Sequence, residues 1–364
     1  MKTKSLLLSS TAVLLILTMI LSACGPTPTA APATTAPKAT EAAKATEAAK
    51  ATEAPKATEA PKATEAAKAT EAVTATVVVT ATQAPPAPTL SSGLGSDQQP
   101  ILMTFVPSGD TQQIMTGGDA IAKMIKNITG LAIKVNVGTD FAAVREAMGT
   151  GKAHIAWLNT FNYVVAHEKY GVDVGLVVVR YGSTTYTGEI IVKADSGIKT
   201  LADLKGKSMC WVDPNSTSGY IIPRIMLKAN GIDPDKDFSK TVESGSHNNV
   251  VTAVYKGDCA AGAVYSDARD AMLKDLPDLK EKVVVLATTT EIPNDNVAFA
   301  KDFPADLRAK VTDALLQIAN TDAGKDALKT ALDIAGLEKT DDSFYDAFRA
   351  DLSKAGMKID ELVK

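Results

Sequence analysis

Short apolar runs alternate with longer amphipathic segments between residues 101 and 304. Runs rich in Val, Ile and Ala that end at Gly, Asn, Asp or Ser predict strands, and apolar residues spaced by three and four predict helices. The predicted strands are residues 101–106, 132–137, 154–158, 174–180, 189–193, 208–212, 241–243, 260–265 and 283–287. The predicted helices are residues 111–127, 141–148, 161–170, 201–204, 221–229, 247–255 and 268–274, and the pattern beyond residue 304 is helical throughout. This alternation predicts an α/β fold of mostly parallel sheets with helices on both faces.

Polar residues gather in the loops that follow several of these strands. Ligands of α/β sheets bind outside the carboxyl ends of the strands, so these loops are the first candidates for a site. They are residues 138–141 (GTDF), 157–160 (WLNT), 243–249 (ESGSHNN), 265–267 (YSD) and, after the last predicted strand, 291–295 (EIPND).

The turn at residues 213–220, with the sequence DPNSTSGY, is the main candidate for a binding site. It lies between a predicted strand and a predicted helix, so the hydroxyls of Ser216, Thr217 and Ser218 gather at a helix N-terminus. The first N–H groups of a helix have no intrahelical partner, and the macrodipole adds partial positive charge there. A small tetrahedral oxyanion fits such a place. The alternative is a Ser/Thr helix cap without a ligand.

The N-terminus has the features of an export signal. Lys2 and Lys4 precede an apolar segment at residues 6–21, which ends in Leu-Ser-Ala-Cys at residues 21–24. This pattern predicts a signal peptide over residues 1–23 rather than a structural element. The Leu-Ser-Ala-Cys end resembles a bacterial lipobox, which implies cleavage before Cys24 and a diacylglycerol on its sulfur. The alternative is an ordinary signal peptide with a chance cysteine.

A repetitive segment follows, and we interpret residues 24–99 as a disordered tether. Lys-Ala-Thr-Glu-Ala recurs every six residues between residues 38 and 72, and its charges cancel. Such a composition cannot bury enough apolar surface to offset the entropy of ordering the chain. A flexible chain of about 75 residues spans about 50 Å. The tether would hold a folded domain at residues 100–364 away from a membrane surface.

The charge, hydropathy and cysteine pattern of the chain argue against several kinds of function. The net charge is −4 and neither sign dominates a segment, so nothing indicates a nucleic-acid partner. No later stretch approaches the about 18 consecutive apolar residues of a membrane-spanning helix. Cys210 and Cys259 lie outside any C-x-x-C or His-rich pattern, so we expect no metal site. They belong to predicted strands that should be neighbours, and either a disulfide or two free thiols fits an exported domain.

Several motifs occur together in this chain: the Asp-Pro-Asn-Ser-Thr-Ser-Gly turn, the Gly-Ser-His start of the next helix, a strand that leads to an acidic residue, Ile-Pro-Asn-Asp, Ile155-Ala156-Trp157 and Asp195-Ser196-Gly197. In combination they resemble one family, the phosphonate/phosphite-binding proteins of bacterial ABC importers. The resemblance covers about residues 101–308. It implies the type II periplasmic-binding-protein fold, with lobe 1 at about 100–187 and 290–364 and lobe 2 at about 188–289. The ligand would lie in the cleft between the lobes.

The resemblance also implies roles for individual residues. The oxyanion donors would be Ser216, Thr217, Ser218 and His247, with a contact from Tyr186. A second family tyrosine falls on Phe141, which has no hydroxyl. The acidic pair that can hold a ligand amine falls on Asp267 and Asp295. Each role has a plainer alternative: a rim tyrosine for Tyr186, a helix start for His247, a helix cap for Asp267 and a turn former for Asp295.

Three function classes follow from these observations. The favoured one is a lipid-anchored binding protein, a monomer without cofactor, that captures a phosphorus oxyanion and delivers it to an ABC permease and ATPase. The second is a hydrolase that uses Ser216 or Ser218 with His247 and Asp267, although no G-x-S-x-G elbow surrounds either serine. The third is a sensor or scaffold with the same fold. Which phosphonate, phosphite or phosphate binds is left open by the sequence.

Overall fold

A computed structural model describes residues 93–359 of the chain. The predicted signal peptide, Cys24 and residues 24–92 of the predicted tether lie outside the described residues. Within residues 93–359 the chain forms two sheets, each flanked by helices. No helix in this part of the chain is long and apolar enough to cross a membrane.

The first sheet has six strands among the described residues, in the order β11-β4-β10-β3-β1-β2. Its strands are β1 (Ile101–Phe105), β2 (Ile133–Val137), β3 (Ile155–Leu158), β4 (Asp173–Val179), β10 (Asn296–Phe299) and β11 (Gly336–Lys339). All four residues of β3 and of β10 are buried, since helices cover both faces of the sheet there.

The second sheet has five strands in the described part of the chain, in the order β7-β6-β8-β5-β9. Its strands are β5 (Thr185–Lys193), β6 (Ser208–Trp211), β7 (Lys240–Glu243), β8 (Ala261–Tyr265) and β9 (Val283–Pro293). We call the first sheet with helices α1–α3 and α7–α9 lobe 1, and the second sheet with α4–α6 lobe 2. The predicted lobe boundaries, at residues 187/188 and 289/290, fall inside β5 and β9.

Apart from α6, which was not predicted, the helices of the described residues correspond to predicted helical segments. They are α1 (Thr111–Thr129), α2 (Phe141–Gly149), α3 (Thr160–Tyr170), α4 (Ile222–Ala229), α5 (His247–Lys256), α6 (Leu279–Lys282), α7 (Ala305–Ala319), α8 (Asp322–Leu332) and α9 (Asp346–Lys354). Side chains cap several N-termini: Asp110 accepts from the N–H of Gln113, and Asp140 from that of Ala143. These caps place the loops after β1 and β2 at the edge where the lobes meet.

Gly117, in the middle of α1, allows this helix to pack closely against α8. A Cβ on Gly117 would lie 2.5 Å from the backbone nitrogen of Ala331 and 2.6 Å from the carbonyl oxygen of Ala327, both on α8. A larger residue at position 117 would therefore push α8 away from α1. The contact matters for the site because the C-terminus of α8 reaches the space between the lobes.

Both sheets are mixed, whereas the sequence pattern predicted mostly parallel ones. In lobe 1, β1 pairs in parallel with β2 and β3, but β10 runs antiparallel to β3 and β4. In lobe 2, β6 is parallel to β7 and β8, but β5 runs antiparallel to β8 and β9. β11 also runs antiparallel to β4. The antiparallel strands β5 and β10 follow the points where the chain crosses between the lobes. A strand that enters a sheet from the other lobe has no crossover helix to turn it parallel.

Four local predictions were wrong or incomplete. Strand β10 (Asn296–Phe299) was missed because its short apolar run follows β9 directly. Strand β11 (Gly336–Lys339) lies in a region predicted as helical, since Leu337 is its only buried residue and leaves no periodic signal. Residues 268–274 contain a 3-10 turn at Asp270–Met272 rather than a helix, because Asp267 precedes them with a φ of 59°. Strands β5 and β9 are also longer than predicted.

The two cysteines within the described residues form a disulfide, which decides between the two alternatives. Cys210 lies in β6 and Cys259 lies two residues before β8, and their Cα atoms are 5.9 Å apart. Both side chains are buried in lobe 2. The bond closes a loop with a sequence separation of 49, which restricts the unfolded chain and typically stabilises by about 2–4 kcal/mol.

Candidate ligand-binding site

A cavity of about 990 Å³ lies between the lobes, at the carboxyl ends of several strands. Residues of both lobes line it. Seven of the eight residues predicted for the site are among the lining residues: Phe141, Tyr186, Ser216, Thr217, Ser218, His247 and Asp295. The predicted amine-binding residue Asp267 is not. The structure thus brings together the predicted oxyanion donors but only one of the two predicted carboxylates.

The Ser-Thr-Ser turn begins the helical segment that follows β6. Thr217–Ile221 forms one π-helical turn that continues into α4, and the hydroxyl oxygen of Ser216 caps it by accepting from the N–H of Gly219 at 3.1 Å. A Cβ at Gly219 would lie 2.3 Å from the side chain of Val212 and 2.8 Å from that hydroxyl oxygen. Glycine at this position therefore lets the turn pack tightly against the end of β6. Ser216, Thr217 and Ser218 are all buried at the cavity wall.

The hydroxyl oxygen of Thr217 accepts two hydrogen bonds from lobe 1. Its oxygen accepts from Asn159 Nδ2 at 3.0 Å and from the backbone N–H of Phe161 at 3.0 Å. A hydroxyl oxygen has two lone pairs, so the remaining hydrogen-bonding capacity of Thr217 is its own O–H. The side chain is thereby restricted to the role of donor toward the cavity, which suits an anionic ligand.

His247 begins α5 and is held in one tautomer. The backbone N–H of Tyr265 donates to His247 Nδ1 at 3.2 Å, so Nε2 carries the hydrogen in the neutral ring. Burial, with a smaller contribution from Arg180, lowers the pKa of His247 to about 3. At neutral pH the ring is therefore an uncharged N–H donor. The predicted role as donor fits this state, and a positive charge on His247 is excluded near pH 7.

Two aromatic residues, Tyr186 on β5 and Phe141 on α2, form further walls of the cavity. Tyr186 on β5 is buried, and burial raises the pKa of its hydroxyl, while hydrogen bonding with Ser218 and Thr217 opposes the rise. The phenol is therefore neutral near pH 7 and lies beside the hydroxyls of Ser218 and Thr217. Phe141, the first residue of α2, is fully buried and contributes only apolar surface.

Asp295 contributes a carboxyl group to the cavity wall. Burial raises its pKa to about 6, and Arg180 partly opposes this rise. Its Oδ1 atom is inaccessible to solvent and has no hydrogen-bond partner among the described residues. An unpaired buried carboxylate is costly, so a donor on the ligand would be stabilising at this atom.

Asp267 occupies a different environment from the one predicted. Its backbone is left-handed, with φ 59°, and its carboxylate pairs with Arg269 and Lys280 at 3.7 Å each. The turn directs the side chain away from the cavity, and Tyr265, two residues earlier, contributes to the cavity wall instead. An amine-bearing ligand in this cavity would meet Asp295 without Asp267.

The lining residues that were not predicted from the sequence include Ser108, Asn159, Arg180 and Tyr265. Asn159 and Tyr265 belong to loops that the sequence pattern singled out, but neither has a charge or motif that marks it individually. Arg180 ends an otherwise apolar strand, and this single charged residue was the available signal. It is buried in the cavity wall.

Hydrogen bonds connect the two lobes on both sides of the cavity. On one side, Arg145 of α2 donates from Nη1 to Asn215 Oδ1 at 3.0 Å, and Asn159 Nδ2 donates to the carbonyl of Asn215 at 2.8 Å. On the other side, the N–H of His247 donates to the carbonyl of Ser108 at 3.0 Å. These bonds exist only while the lobes are in contact, so the structure represents a closed arrangement.

Replacing Arg145 with alanine is expected to weaken binding of every ligand by the same factor, roughly two- to tenfold. The side chain does not line the cavity, and its bond to Asn215 contributes about 0.5–1.5 kcal/mol to the closed arrangement alone. Titration calorimetry with two ligands of different size measures the two losses. The matched control is Arg349→Ala, because Arg349 pairs with Asp342 and Asp346 inside lobe 1. Losses that differ between the ligands would contradict a role in closure.

The hydrolase alternative lacks its geometry. A Ser-His-Asp triad needs a carboxylate on the histidine nitrogen opposite the serine. In this structure the backbone N–H of Tyr265 occupies His247 Nδ1, and Asp267 is paired with Arg269 and Lys280. Within residues 93–359 there is also no group of three or more His, Cys, Asp or Glu side chains that could hold a metal ion.

Comparison with known proteins gives a consistent assignment. The profile of the family described as "ABC transporter, phosphonate, periplasmic substrate-binding protein" matches residues 103–345. A phosphate-import protein of Mycolicibacterium smegmatis is 30% identical over 190 residues, which cover 50% of this chain and 59% of that protein. A phosphonates-binding periplasmic protein of Escherichia coli is 27% identical over 206 residues, covering 55% of this chain and 61% of that protein. The chain thus spans about three fifths of these relatives.

Solved structures share the fold. A binding-protein component of an ABC phosphonate transporter from Pseudomonas aeruginosa superposes with a TM-score of 0.65 at 22% identity, covering 73% of this chain and 89% of that one. A methylphosphonate complex from Prochlorococcus marinus gives a TM-score of 0.64 at 17% identity, covering 71% and 98%. The predicted type II periplasmic-binding-protein fold is confirmed, and so is the recognised family, whose members bind substrates for transporters and are not enzymes. The chain belongs to the family of periplasmic phosphonate-binding proteins of ABC transporters.

Proposed function

We propose that the protein is the extracytoplasmic solute-binding component of an ABC importer and that it captures a phosphorus oxyanion in the cavity between its lobes. The observation that carries this proposal is the convergence of neutral donors on one wall: the hydroxyls of Ser216, Thr217 and Ser218 and the N–H of His247. Donors fixed in place before binding suit a tetrahedral anion with several acceptor oxygens. The permease and ATPase of such an importer would be its partners.

The relatives support the phosphorus class but differ in the ligand that they name. One is a phosphate-import protein, one binds phosphonates and one was solved with methylphosphonate. In this chain the donors serve the oxyanion end, which these ligands share. The organic substituent would face Phe141 and Asp295, so an alkyl group and an amine are both compatible with the opposite wall.

A ligand screen by thermal denaturation of the purified protein tests this function. Phosphate, phosphite, methylphosphonate and 2-aminoethylphosphonate are compared with sulfate and methanesulfonate. A ligand at one hundred times its Kd is expected to stabilise the folded state by about 2.7 kcal/mol. Stabilisation by at least one phosphorus compound is the expected result. If none of them raises the melting temperature, the protein does not bind a phosphorus oxyanion and the proposal fails.

We further propose that the protein is a lipoprotein held at the membrane surface by Cys24. The support is the sequence alone: an apolar leader, Leu-Ser-Ala-Cys, and a neutral repetitive segment before the folded lobes. A single lipid on a long tether leaves the lobes free to reach a permease in the same membrane.

Cys24→Ser is expected to release the protein into the soluble fraction while its ligand affinity stays unchanged. Without the thiol no diacylglycerol is attached, and Cys24 is separated in sequence from every residue of the cavity. Cell fractionation and titration calorimetry measure the two properties. A variant that stays in the membrane fraction after cleavage of its signal would show that the lipid assignment is wrong.

A further inference from the structure

We propose that Arg180 binds the oxyanion directly and makes the site select doubly charged phosphorus oxyanions, such as phosphonate and phosphate dianions, over singly charged anions of the same shape. This inference rests on the proposed function and names the charge state that the site prefers. It assigns to Arg180 a role in specificity that the neutral donors cannot perform.

Arg180 lies where it can reach a ligand. It follows Val179 at the end of β4 and begins a tight turn in which its N–H and carbonyl pair with Ser183. Its side chain is part of the cavity wall, and only 5% of the residue is exposed. The guanidinium lies over the rings of Tyr265 at 4.8 Å and Tyr186 at 5.7 Å. Two aromatic faces thus fix its plane inside the cavity.

The contacts of the guanidinium leave its charge largely uncompensated. Nε donates to the carbonyl of Asp333 at 3.3 Å and Nη2 to the carbonyl of Leu332 at 3.0 Å, at the C-terminus of α8. These carbonyls carry about half a negative charge at the helix end. Among residues 93–359, no carboxylate forms a direct ion pair with Arg180, Asp295 interacts with it only at longer range, and Nη1 donates to no acceptor. A buried cation without a directly paired counter-ion is costly, so a bound anion would be stabilising there.

The other groups of the site cannot supply this charge. His247 is neutral near pH 7, and the hydroxyls of Ser216, Thr217 and Ser218 carry no charge. Lys329 also lines the cavity but is exposed at its outer edge. Arg180 acts electrostatically on the site already, since it contributes to lowering the pKa of His247 and opposes the rise in the pKa of Asp295.

Selectivity for the dianion follows because hydrogen bonds from neutral donors and the Coulomb attraction of the guanidinium depend differently on the ligand charge. A neutral donor forms one hydrogen bond with a phosphonate or a sulfonate oxygen alike. The Coulomb energy with a guanidinium is proportional to the ligand charge, so a dianion gains about twice as much as a monoanion at the same place. An arginine also fits two oxygens of one tetrahedral group, which a lysine does not.

Titration calorimetry on Arg180→Gln, Arg180→Lys and the unmodified protein tests the inference, with methylphosphonate at a pH where it is a dianion and methanesulfonate as its singly charged counterpart. We expect Arg180→Gln to weaken methylphosphonate binding about ten- to hundredfold and methanesulfonate binding only about three- to tenfold, since the monoanion gains about half as much from the charge. Arg180→Lys should fall between Gln and the unmodified protein because it keeps the charge. Arg308→Gln is the matched control, since Arg308 bonds the carbonyl of Val174 and stacks on Phe299 but lies outside the cavity.

The outcomes separate the inference from the proposed function. Equal losses for both ligands, or no loss for methylphosphonate, would overturn the role of Arg180 while leaving phosphonate binding intact. If methanesulfonate binds no form of the protein, the affinities of the two variants for methylphosphonate are compared instead. Equal affinities of Arg180→Lys and Arg180→Gln would overturn the inference, and tighter binding by Arg180→Lys would support it. Failure of the unmodified protein to bind any phosphorus oxyanion would instead refute the proposed function. Melting temperatures of the free variants show whether the support of α8 has been lost.

Discussion

Ser218→Ala is expected to weaken the binding of every phosphonate by about ten- to hundredfold. The hydroxyl is buried at the cavity wall beside the phenol of Tyr186, and we propose that it donates to the oxyanion end that all these ligands share. A hydrogen bond to a charged group contributes about 1.5–3 kcal/mol, and its loss leaves an oxyanion acceptor unpaired. Titration calorimetry with methylphosphonate and 2-aminoethylphosphonate measures both affinities.

A substitution at Ser218 tests ligand binding with little effect on the structure of the turn. Ser216 caps the turn and Thr217 connects it to lobe 1, so changes there would disturb the structure as well as the ligand. Ser218 forms neither of these bonds. Ser266→Ala is the control, because Ser266 follows β8 and lies outside the cavity. Undiminished affinity of Ser218→Ala for both ligands would contradict the assignment of the turn as the oxyanion site.

Asp295→Asn is expected to divide ligands by the charge of their organic end. An aminoalkylphosphonate should lose about ten- to hundredfold in affinity, since its ammonium group loses a buried charged partner. An uncharged alkylphosphonate should bind as well or better, because the buried carboxylate with its unpaired Oδ1 is removed. Titration calorimetry with methylphosphonate and 2-aminoethylphosphonate gives the comparison.

The pH dependence adds a second test of Asp295. Burial raises its pKa to about 6, so the carboxyl is charged at pH 7.5 and becomes neutral as the pH falls through that value. The difference between Asp295 and the Asn variant toward the aminoalkylphosphonate should therefore shrink below pH 6. Asp267→Asn serves as the control, because Asp267 pairs with Arg269 and Lys280 outside the cavity. Equal losses for both ligands on Asp295→Asn would refute the amine role.

The part of the site that could be predicted from sequence is local. The Ser-Thr-Ser turn follows β6 and begins a helix, and Gly219 fixes its backbone, so neighbours in sequence determine its geometry. His247 is similar, since it begins α5 directly after the cap residue Ser246. In both cases the residue type and its place in the element are sufficient to place the side chain at the carboxyl edge of a sheet.

The parts that could not be predicted depend on contacts distant in sequence or on a single backbone angle. Asp267 leaves the cavity because one residue adopts a left-handed conformation that its sequence does not require. Arg180 enters it because α8, about 150 positions later, offers its last carbonyls to the guanidinium. The strand β10 lies between β3 and β4 only because the chain returns from lobe 2, and its four residues carry no signal of that path.

The most direct test of the account is a crystal structure of the protein in complex with methylphosphonate. We expect the phosphorus atom in the cavity between the lobes, with its oxygens at hydrogen-bond distance from the Ser218 hydroxyl and from His247 Nε2. We also expect closed lobes, with the bonds from Arg145 to Asn215 and from His247 to Ser108 retained. A ligand bound outside this cavity, or bound inside it without contact to the Ser216–Ser218 turn, would contradict the account.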